Sequence, residues 1–281
     1  MNPFEVRSLD GTRIAVFEIA AATAAPGTAA ALAPAPGDHA PLLLVHGATA
    51  DHTTWRAVGP LFARSRRVFA MDRRGRGASG DAPPSAPAYA IDREYEDVAG
   101  HSYGGRCGLG ASLLTPAIRR LVVYEGAPVP PGMSYRTPGL VEAVRAALER
   151  GDKEGALTAF LAGIVGMSDA ALDAYRQDPV WPVRVEAAHT ILREIEAEAT
   201  DAASLARLAG VQVRVILVLG SISRSPFRIG TDALAARLAD ARVAVIDGAA
   251  HAAHHTHPAE FVALVEDFLD GSLDSPRTIA S

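Results

Sequence analysis

Short apolar runs of strand length alternate with helical segments along most of the chain. The runs cover residues 42–45, 67–71, 121–124, 211–219 and 243–246. Continuous apolar runs of this length are typical of strands that are buried on both faces. Because such strands alternate with helices, the sequence predicts an α/β fold: a mostly parallel sheet with helices on both faces.

Residues 128–210 interrupt this alternation, because they have helical spacing and no clear strand. Apolar positions such as Leu140 and Val144 fall on one helical face. A helical block between two sheet strands predicts an inserted cap. We therefore expect a core built from residues 1–127 and 211–281, with the cap between them.

The N-terminal region precedes the first buried strand. Residues 4–9 and 12–19 have the composition of two strands, and Asp10-Gly11 between them is a strong hairpin signal. Residues 20–41 consist mostly of Ala, Pro and Gly, so we expect a loop insertion there.

Charge and composition exclude several classes of protein. The net charge is -5 and Lys and Arg form no large cluster, so no nucleic-acid partner is expected. No apolar stretch reaches the roughly 20 residues of a membrane span, and no signal peptide is evident. We predict a cytoplasmic protein with a small-molecule partner and no membrane partner. The single cysteine, Cys107, excludes an internal disulfide and is expected in the core rather than as a nucleophile.

The strongest chemical signal is Gly100-His101-Ser102-Tyr103-Gly104. The G-x-S-x-G pattern places a serine on a strained turn between a strand and a helix. Glycine is needed on either side because a side chain there would collide with neighbouring backbone. The N-terminus of the following helix favours negative charge that develops at the serine. The alternative is a glycine-rich loop without catalytic meaning.

Further segments follow other predicted strands. His46-Gly47-Ala48 can direct the N–H of Ala48 to the same point as the N–H of Tyr103, which would form an oxyanion hole. The alternative is an ordinary strand-to-helix turn. His251 lies after the last strand, which gives the chain order Ser then His.

Together these segments resemble the α/β-hydrolase family. The matching segments, in chain order, are LLLVHGA (42–48), DRRGRGASG (72–80), GHSYGG (100–105), LVVYEGAP (121–128) and DGAAH (247–251). The resemblance implies a parallel-rich sheet, a cap after the sixth strand, and hydrolysis of an ester-like bond. No cofactor and no metal are expected.

The resemblance also implies roles for individual residues. Ser102 would be the nucleophile and His251 the general base, and a carboxylate would orient His251. In the family this acid usually follows the seventh strand, but residues 220–225 contain no carboxylate. The family's alternative position is the end of the sixth strand, where Glu125 stands. Asp232 and Asp247 remain alternatives; the competing interpretation is that Asp232 simply starts its helix and that Asp247 belongs to a turn.

The expected reaction is hydrolysis of a small carboxylic ester, thioester or lactone. A serine at position 102 argues against dehalogenase or epoxide hydrolase chemistry, for which the family uses aspartate. Hydrolysis of a carbon–carbon bond and acyl transfer use the same triad and stay open.

Two other patterns have competing interpretations. Residues 75–80 match G-x-G-x-x-G, but Asp81-Ala82-Pro83-Pro84 cannot start the helix that a dinucleotide site requires. Histidines crowd the region after the last strand, at His251, His254, His255 and His257. A metal site is one interpretation; surface histidines at a helix start are the preferred one.

The segment before Ser102 is shorter than a parallel crossover requires. Residues 80–101 must supply a helix and a strand, yet residues 92–99 are polar and have the composition of a helix start. We infer a deletion of about 12 to 18 residues, the size of a helix remainder and a strand. We expect either that residues 89–92 substitute in the sheet or that the strand is missing and Ser102 lies on a displaced loop. A hydrolase-fold protein that binds a ligand without catalysis is therefore the alternative function.

Overall fold

A computed structural model describes residues 3–8, 10–21, 39–81, 99–201 and 204–272 of the 281-residue chain. Its centre is an eight-stranded sheet. The strands are β1 (Phe4–Arg7), β2 (Arg13–Ile19), β3 (Leu42–Val45), β4 (Val68–Met71), β5 (Ala99–His101), β6 (Arg120–Tyr124), β7 (Arg214–Gly220) and β8 (Ala241–Ile246).

The spatial order of the strands is β1-β2-β4-β3-β5-β6-β7-β8. β1 and β2 form an antiparallel hairpin, and β2 is also antiparallel to β4. All the other pairs are parallel. The predicted α/β class with a mostly parallel sheet is confirmed. The proposed loop insertion at 20–41 lies mostly outside the described residues.

Helices cover both faces of the sheet. Those of the core are α1 (Gly59–Phe62), α2 (Tyr103–Ser112), α9 (Ser225–Ala235), α10 (Ala253–Thr256) and α11 (Pro258–Leu269). One apolar cluster joins α2 and α9 to one face, through residues such as Leu109 and Leu234. A second joins α1 and α11 to the other face, through Phe62 and Phe261. These two layers hold the strand ends that carry the candidate site.

The segment between β6 and β7 is helical in its described part. Its α-helices are α3 (Leu140–Glu149), α4 (Lys153–Phe160), α5 (Asp169–Tyr175), α6 (Trp181–Glu186), α7 (Ile191–Glu198) and α8 (Leu205–Leu208). Helices α3 to α7 share an apolar cluster of their own that includes Val144, Leu157 and Ile191. The buried residues of this cluster are separate from those of the two clusters on the sheet.

Two short helical pieces follow β3. The chain forms a 3-10 turn at His52–Trp55 and then, after a break, α1. Asp51 caps the 3-10 turn by accepting a hydrogen bond from Thr53 N. Pro60 lies in the first turn of α1, where its missing N–H costs nothing. A proline in the first turn marks a new helix start, which explains the break.

The prediction that no strand leads into Ser102 is wrong. β5 occupies the centre of the sheet, with Ala99 opposite Leu44 of β3 and His101 opposite Tyr124 of β6. An apolar run is unnecessary here because strand pairing uses backbone groups. Residues 89–92, the suggested substitute, lie outside the described residues, as do all of residues 82–98.

None of the helices in the described ranges is long and apolar enough to cross a membrane.

Candidate active site

Ser102 lies on a sharp turn between β5 and α2. Its backbone has φ 54° and ψ -122°, a conformation that costs energy for a residue with a side chain. A Cβ on Gly100 would approach Gly104 C at 2.3 Å, and a Cβ on Gly104 would approach Val45 O at 2.3 Å. Both glycines are thus required for the close passage of α2 over the strands, as the motif predicts. The turn has the geometry of a nucleophile elbow.

Ala48 and Tyr103 line the same cavity as Ser102. Tyr103 is the first residue of α2, and Ala48 follows β3, the strand beside β5. The structure therefore places both predicted oxyanion-hole residues beside Ser102, where the N-terminus of α2 adds positive potential.

His251 lies in the loop between β8 and α10. Its Nδ1 is 2.6 Å from Glu125 Oε2, and its ring stacks on Phe227 with centroids 4.5 Å apart. The loop is held from both sides: His101 Nε2 donates to the carbonyl of His251 at 2.7 Å, and Ala253 N donates to Tyr124 Oη at 2.9 Å. His251 is thus buried, oriented by Glu125 and held to strands β5 and β6 through its loop.

Glu125 follows β6 directly and has φ 49°. Its Oε1 accepts hydrogen bonds from Gly220 N, at 2.9 Å, and from Ser223 Oγ. The turn after β7 therefore supplies donors to a carboxylate from the neighbouring strand. This geometry explains why residues 220–225 need no acidic residue of their own.

The alternative acids lie elsewhere. Asp232 is exposed on α9, and Asp247 Oδ1 accepts from Ser221 Oγ at 3.1 Å. Among the hydrogen bonds of the described residues, Glu125 provides the carboxylate at His251, and neither aspartate contacts that ring.

Ser102 and His251 are not hydrogen bonded to each other. The hydrogen bonds found in the described part of the chain include none between Ser102 Oγ and His251 Nε2. Catalytic hydrogen bonds are often long in ligand-free enzymes and shorten when substrate binds. The site thus contains an assembled acid–base pair beside an elbow whose serine is not bonded to it.

The histidines near the site form a packed cluster. His254 Nε2 lies 3.4 Å from Thr54 Oγ1, and its ring is 4.4 Å from that of His101 and 5.2 Å from Trp55. Burial lowers the pKa of His101 and His254 well below the usual value, and it lowers that of His255 to about 4. These neutral rings pack against the core, whereas the sequence favoured surface histidines.

A different group has the spacing of metal ligands, namely Asp51, His52 and Asp72, with ligand atoms within 4.8 Å of one another. Protein donors already occupy Asp72: His52 N binds Oδ1 at 2.7 Å and Ala78 N binds Oδ2 at 2.8 Å. The group holds the turn after β4, in which Gly77 packs directly on Asp72. The G-x-G-x-x-G match therefore lies in this turn.

Three charged residues at the cavity were missed by the sequence analysis, namely Arg106, Glu194 and Glu198. Arg106 Nη1 pairs with Glu198 at 2.7 Å, while its Nε and Nη2 donate to the carbonyls of Gly126 and Ala127. An arginine one turn after Ser102 in a helix of small residues was the available signal. Apolar residues complete the wall of the cavity: Phe160, Ile164, Ile195 and Phe227, with Tyr135 beside them.

Comparison with known proteins identifies close structural relatives. An alpha/beta hydrolase from Sphaerobacter thermophilus is 26% identical, with a TM-score of 0.75 over 94% of this chain and 99% of that chain. The enol-lactonase from Burkholderia xenovorans shares the fold at 19% identity, with a TM-score of 0.70 over 95% of this chain and 100% of that chain.

A curated relative matches over a shorter region. The 2-hydroxymuconate semialdehyde hydrolase of Pseudomonas sp. is 34% identical over 105 positions, which cover 32% of this chain and 37% of that relative. The alignment is longer than the part of this chain that it covers, so it contains positions that this chain lacks. The model of the alpha/beta hydrolase family matches residues 42–264. This chain belongs to the alpha/beta hydrolase family.

Proposed function

We propose that the chain hydrolyses small carboxylic esters, thioesters or lactones through Ser102, His251 and Glu125. The observation that carries this proposal is the 2.6 Å hydrogen bond between His251 Nδ1 and Glu125 Oε2, beside a serine elbow that opens into a cavity. A histidine oriented by a carboxylate next to a strained serine is the arrangement of serine hydrolases on several folds.

The reaction follows from this arrangement. Glu125 accepts a hydrogen bond from the Nδ1–H of His251, which keeps the proton on Nδ1 and leaves Nε2 as the basic nitrogen. Nε2 removes the proton of Ser102 Oγ as that oxygen attacks the substrate carbonyl. The N–H groups of Ala48 and Tyr103 stabilise the oxyanion. His251 then returns the proton to the leaving alcohol or thiol, which leaves an acyl-enzyme on Ser102.

Water completes the cycle. His251 Nε2 takes a proton from water, the hydroxide adds to the acyl carbonyl, and the ester bond to Ser102 breaks as Oγ regains its proton. No external cofactor is needed, because each proton moves between the substrate, water, Ser102 and His251. The named relatives include a lactonase and a semialdehyde hydrolase, which supports a substrate with a reactive carbonyl.

We also propose that residues 128–210 form a cap over the site, between core segments 1–127 and 211–281. Residues of α4 and α7 line the cavity that contains Ser102, among them Phe160, Glu194 and Ile195. A separate apolar cluster gives these helices their own rigidity. The cap would then determine which substrates fit.

A ligand-binding protein without catalysis is the second candidate. One observation favours it: no hydrogen bond joins Ser102 to His251 in the described chain. The backbone of the elbow is strained, and strain persists only where the surroundings enforce it.

Fluorophosphonate labelling distinguishes the two candidates, because only an activated serine reacts rapidly. We expect fast labelling of the folded protein at Ser102, none in Ser102→Ala, and slow labelling in His251→Ala. Ester turnover should follow the same order. If the folded wild-type protein is not labelled and hydrolyses none of a panel of esters, thioesters and lactones, the hydrolase proposal is wrong.

A further inference from the structure

The cavity at Ser102 contains a buried carboxylate oxygen without a hydrogen-bond partner. Glu194, on α7, is 3% exposed. Its Oε1 receives hydrogen bonds from Arg73 Nη1, at 2.6 Å, and from Arg76 Nη2. Its Oε2 is buried and has no partner among the described residues. A buried acceptor without a partner destabilises the fold, and the penalty is greater when the acceptor is charged.

The other charged residues of the wall are already engaged. Arg106 donates through Nε and Nη2 to the backbone and pairs through Nη1 with Glu198. Glu198 therefore has a cationic partner facing it, and Glu125 is bonded to His251. Among the carboxylates that line the cavity in the described chain, only Glu194 has a buried oxygen without a hydrogen-bond partner.

We propose that Glu194 determines specificity by accepting a hydrogen bond from a hydroxyl or amine donor on the substrate, an inference that rests on the proposed hydrolase function. A carboxylate oxygen can only accept, so the matching ligand group must be a donor. An anionic substituent at the same place would meet a like charge. The preferred substrates are thus hydroxy- or amino-substituted esters rather than carboxylate-bearing ones.

The helical segment supplies this selection while the sheet supplies the chemistry. Arg73 and Arg76 follow β4 and fix Glu194 through Oε1, and Arg73 Nε also donates to the carbonyl of His46 at 2.9 Å. The free Oε2 is therefore held in position before any ligand enters. A preorganised acceptor discriminates strongly against a ligand that lacks the donor, because the acceptor is then left unpaired.

Binding to Ser102→Ala tests the inference without catalysis. Two pairs of stable esters differ by a hydroxyl in place of a methyl: ethyl 3-hydroxybutanoate with ethyl 3-methylbutanoate, and 2-hydroxyethyl butanoate with propyl butanoate. The first pair places the donor in the acyl part and the second in the alcohol part. In calorimetric titrations we expect the hydroxyl member of at least one pair to bind about tenfold tighter or more. Monoethyl succinate should bind more weakly than either hydroxy ester.

Variants of Glu194 in the same background assign the preference. Glu194→Gln should reduce the ratio of affinities within a pair toward unity. Because Glu194→Gln removes the charged partner of two buried arginines, it could prevent folding. Glu194→Asp provides a second test, since it keeps the charge but its shorter side chain moves the carboxylate back toward α7. Glu196→Gln, the same change at an exposed position of α7, should keep the preference.

The outcomes separate this inference from the proposed function. Equal affinities within both pairs, or no binding of any of these esters, would overturn the role of Glu194 and indicate that water satisfies Oε2. A preference that survives in both Glu194 variants would do the same. A hydroxyl preference in Ser102→Ala together with a wild-type protein that is not labelled by fluorophosphonate would support Glu194 and refute the hydrolase.

Discussion

His251 and Glu125 follow β8 and β6, strands of six and five residues that flank the seven-residue β7. Ser102 follows β5, which lies between β3 and β6 in the centre of the sheet. The acid and the base are hydrogen bonded to each other at 2.6 Å, whereas the serine is bonded to neither in the described part of the chain. The acid–base half of the proposed triad is thus assembled in this structure, and the serine stands apart from it.

The difference shows two ways to fix a catalytic residue. Hydrogen bonds to β7 fix the acid–base half. Glu125 N donates to Val218 O at 3.0 Å, and Gly220 N, two residues further along β7, donates to Glu125 Oε1. Close packing fixes the nucleophile, because α2 approaches β3 so tightly that only glycine fits at position 104. Each half can therefore be broken by a different kind of substitution.

The largest expected effect comes from Glu125→Gln. The amide preserves the shape but cannot stabilise the imidazolium or select the tautomer of His251, so turnover should fall by about 10^3- to 10^4-fold with little change in unfolding temperature. Steady-state kinetics and thermal denaturation measure both. Asp247→Asn is the matched control and should retain activity. If Glu125→Gln has near-normal turnover, the role would move to Asp232 or Asp247.

Gly104→Ala tests the packing that holds the nucleophile half of the proposed triad. The new Cβ would lie 2.3 Å from Val45 O and 2.5 Å from His46 O, and backbone atoms cannot move aside cheaply. We expect at least a hundredfold slower fluorophosphonate labelling of Ser102 and a loss of about 1–3 kcal/mol or more in stability. Gly210→Ala is the control, because its Cβ would have ordinary contacts at 3.4 Å. Unimpaired labelling of Gly104→Ala would show that packing on β3 does not hold the elbow.

Much of the sheet could be predicted from the sequence, because long strands buried on both faces leave continuous apolar runs. β5 left no such run: Ala99, Gly100 and His101 are buried, but their side chains are small or polar. Their place in the sheet comes from backbone pairing and from the close approach of α2, which forbids large residues. A search for apolar strands therefore missed the strand that carries the nucleophile.

The candidate site was predictable to the extent that local motifs define it. Ser102 and His251 come from short patterns, and Glu125 from the carboxylate-free turn at 220–225 together with the family resemblance. Arg106 and Glu194 could not be predicted as neighbours, because their proximity depends on how the helical segment folds over the sheet. Ion pairs between distant parts of a chain leave no periodic signal.

The acid–base half should also respond to pH through the histidines packed around it. Burial lowers the pKa of His101 and His254 well below the usual value and that of His255 to about 4, so the folded protein resists protonation that the unfolded chain accepts near pH 6.5. Stability should be nearly constant above pH 7 and fall as the pH drops from 6.5 toward 4, by up to about 1.4 kcal/mol per pH unit for each histidine.

Urea denaturation at a series of pH values measures this slope. His255→Asn should reduce the slope between pH 6.5 and 4 by about one proton, since one depressed group is removed. Stability that stays flat down to pH 4 would mean that these rings accept protons in the folded state. In that case the histidine cluster would not be the neutral packing layer behind His251.

The smallest expected effect concerns Ser223, whose hydroxyl donates to Glu125 Oε1. Ser223→Ala leaves Gly220 N on the same oxygen at 2.9 Å, so Glu125 loses one of its two supports and stays near His251. We expect turnover to fall about three- to tenfold, within the range of about 0.5–1.5 kcal/mol for one ordinary hydrogen bond, because the second donor remains. Ser221→Ala is the control, because the Ser221 hydroxyl binds Asp247 and Gly248 N instead.

A double-mutant cycle separates positioning from a general loss of packing. If Ser223 acts through the carboxylate, Ser223→Ala should add almost nothing once Glu125→Gln is present, because the group that it orients has lost its function. Full additivity of the two changes would instead show that Ser223 stabilises the turn at 220–225 independently of the acid.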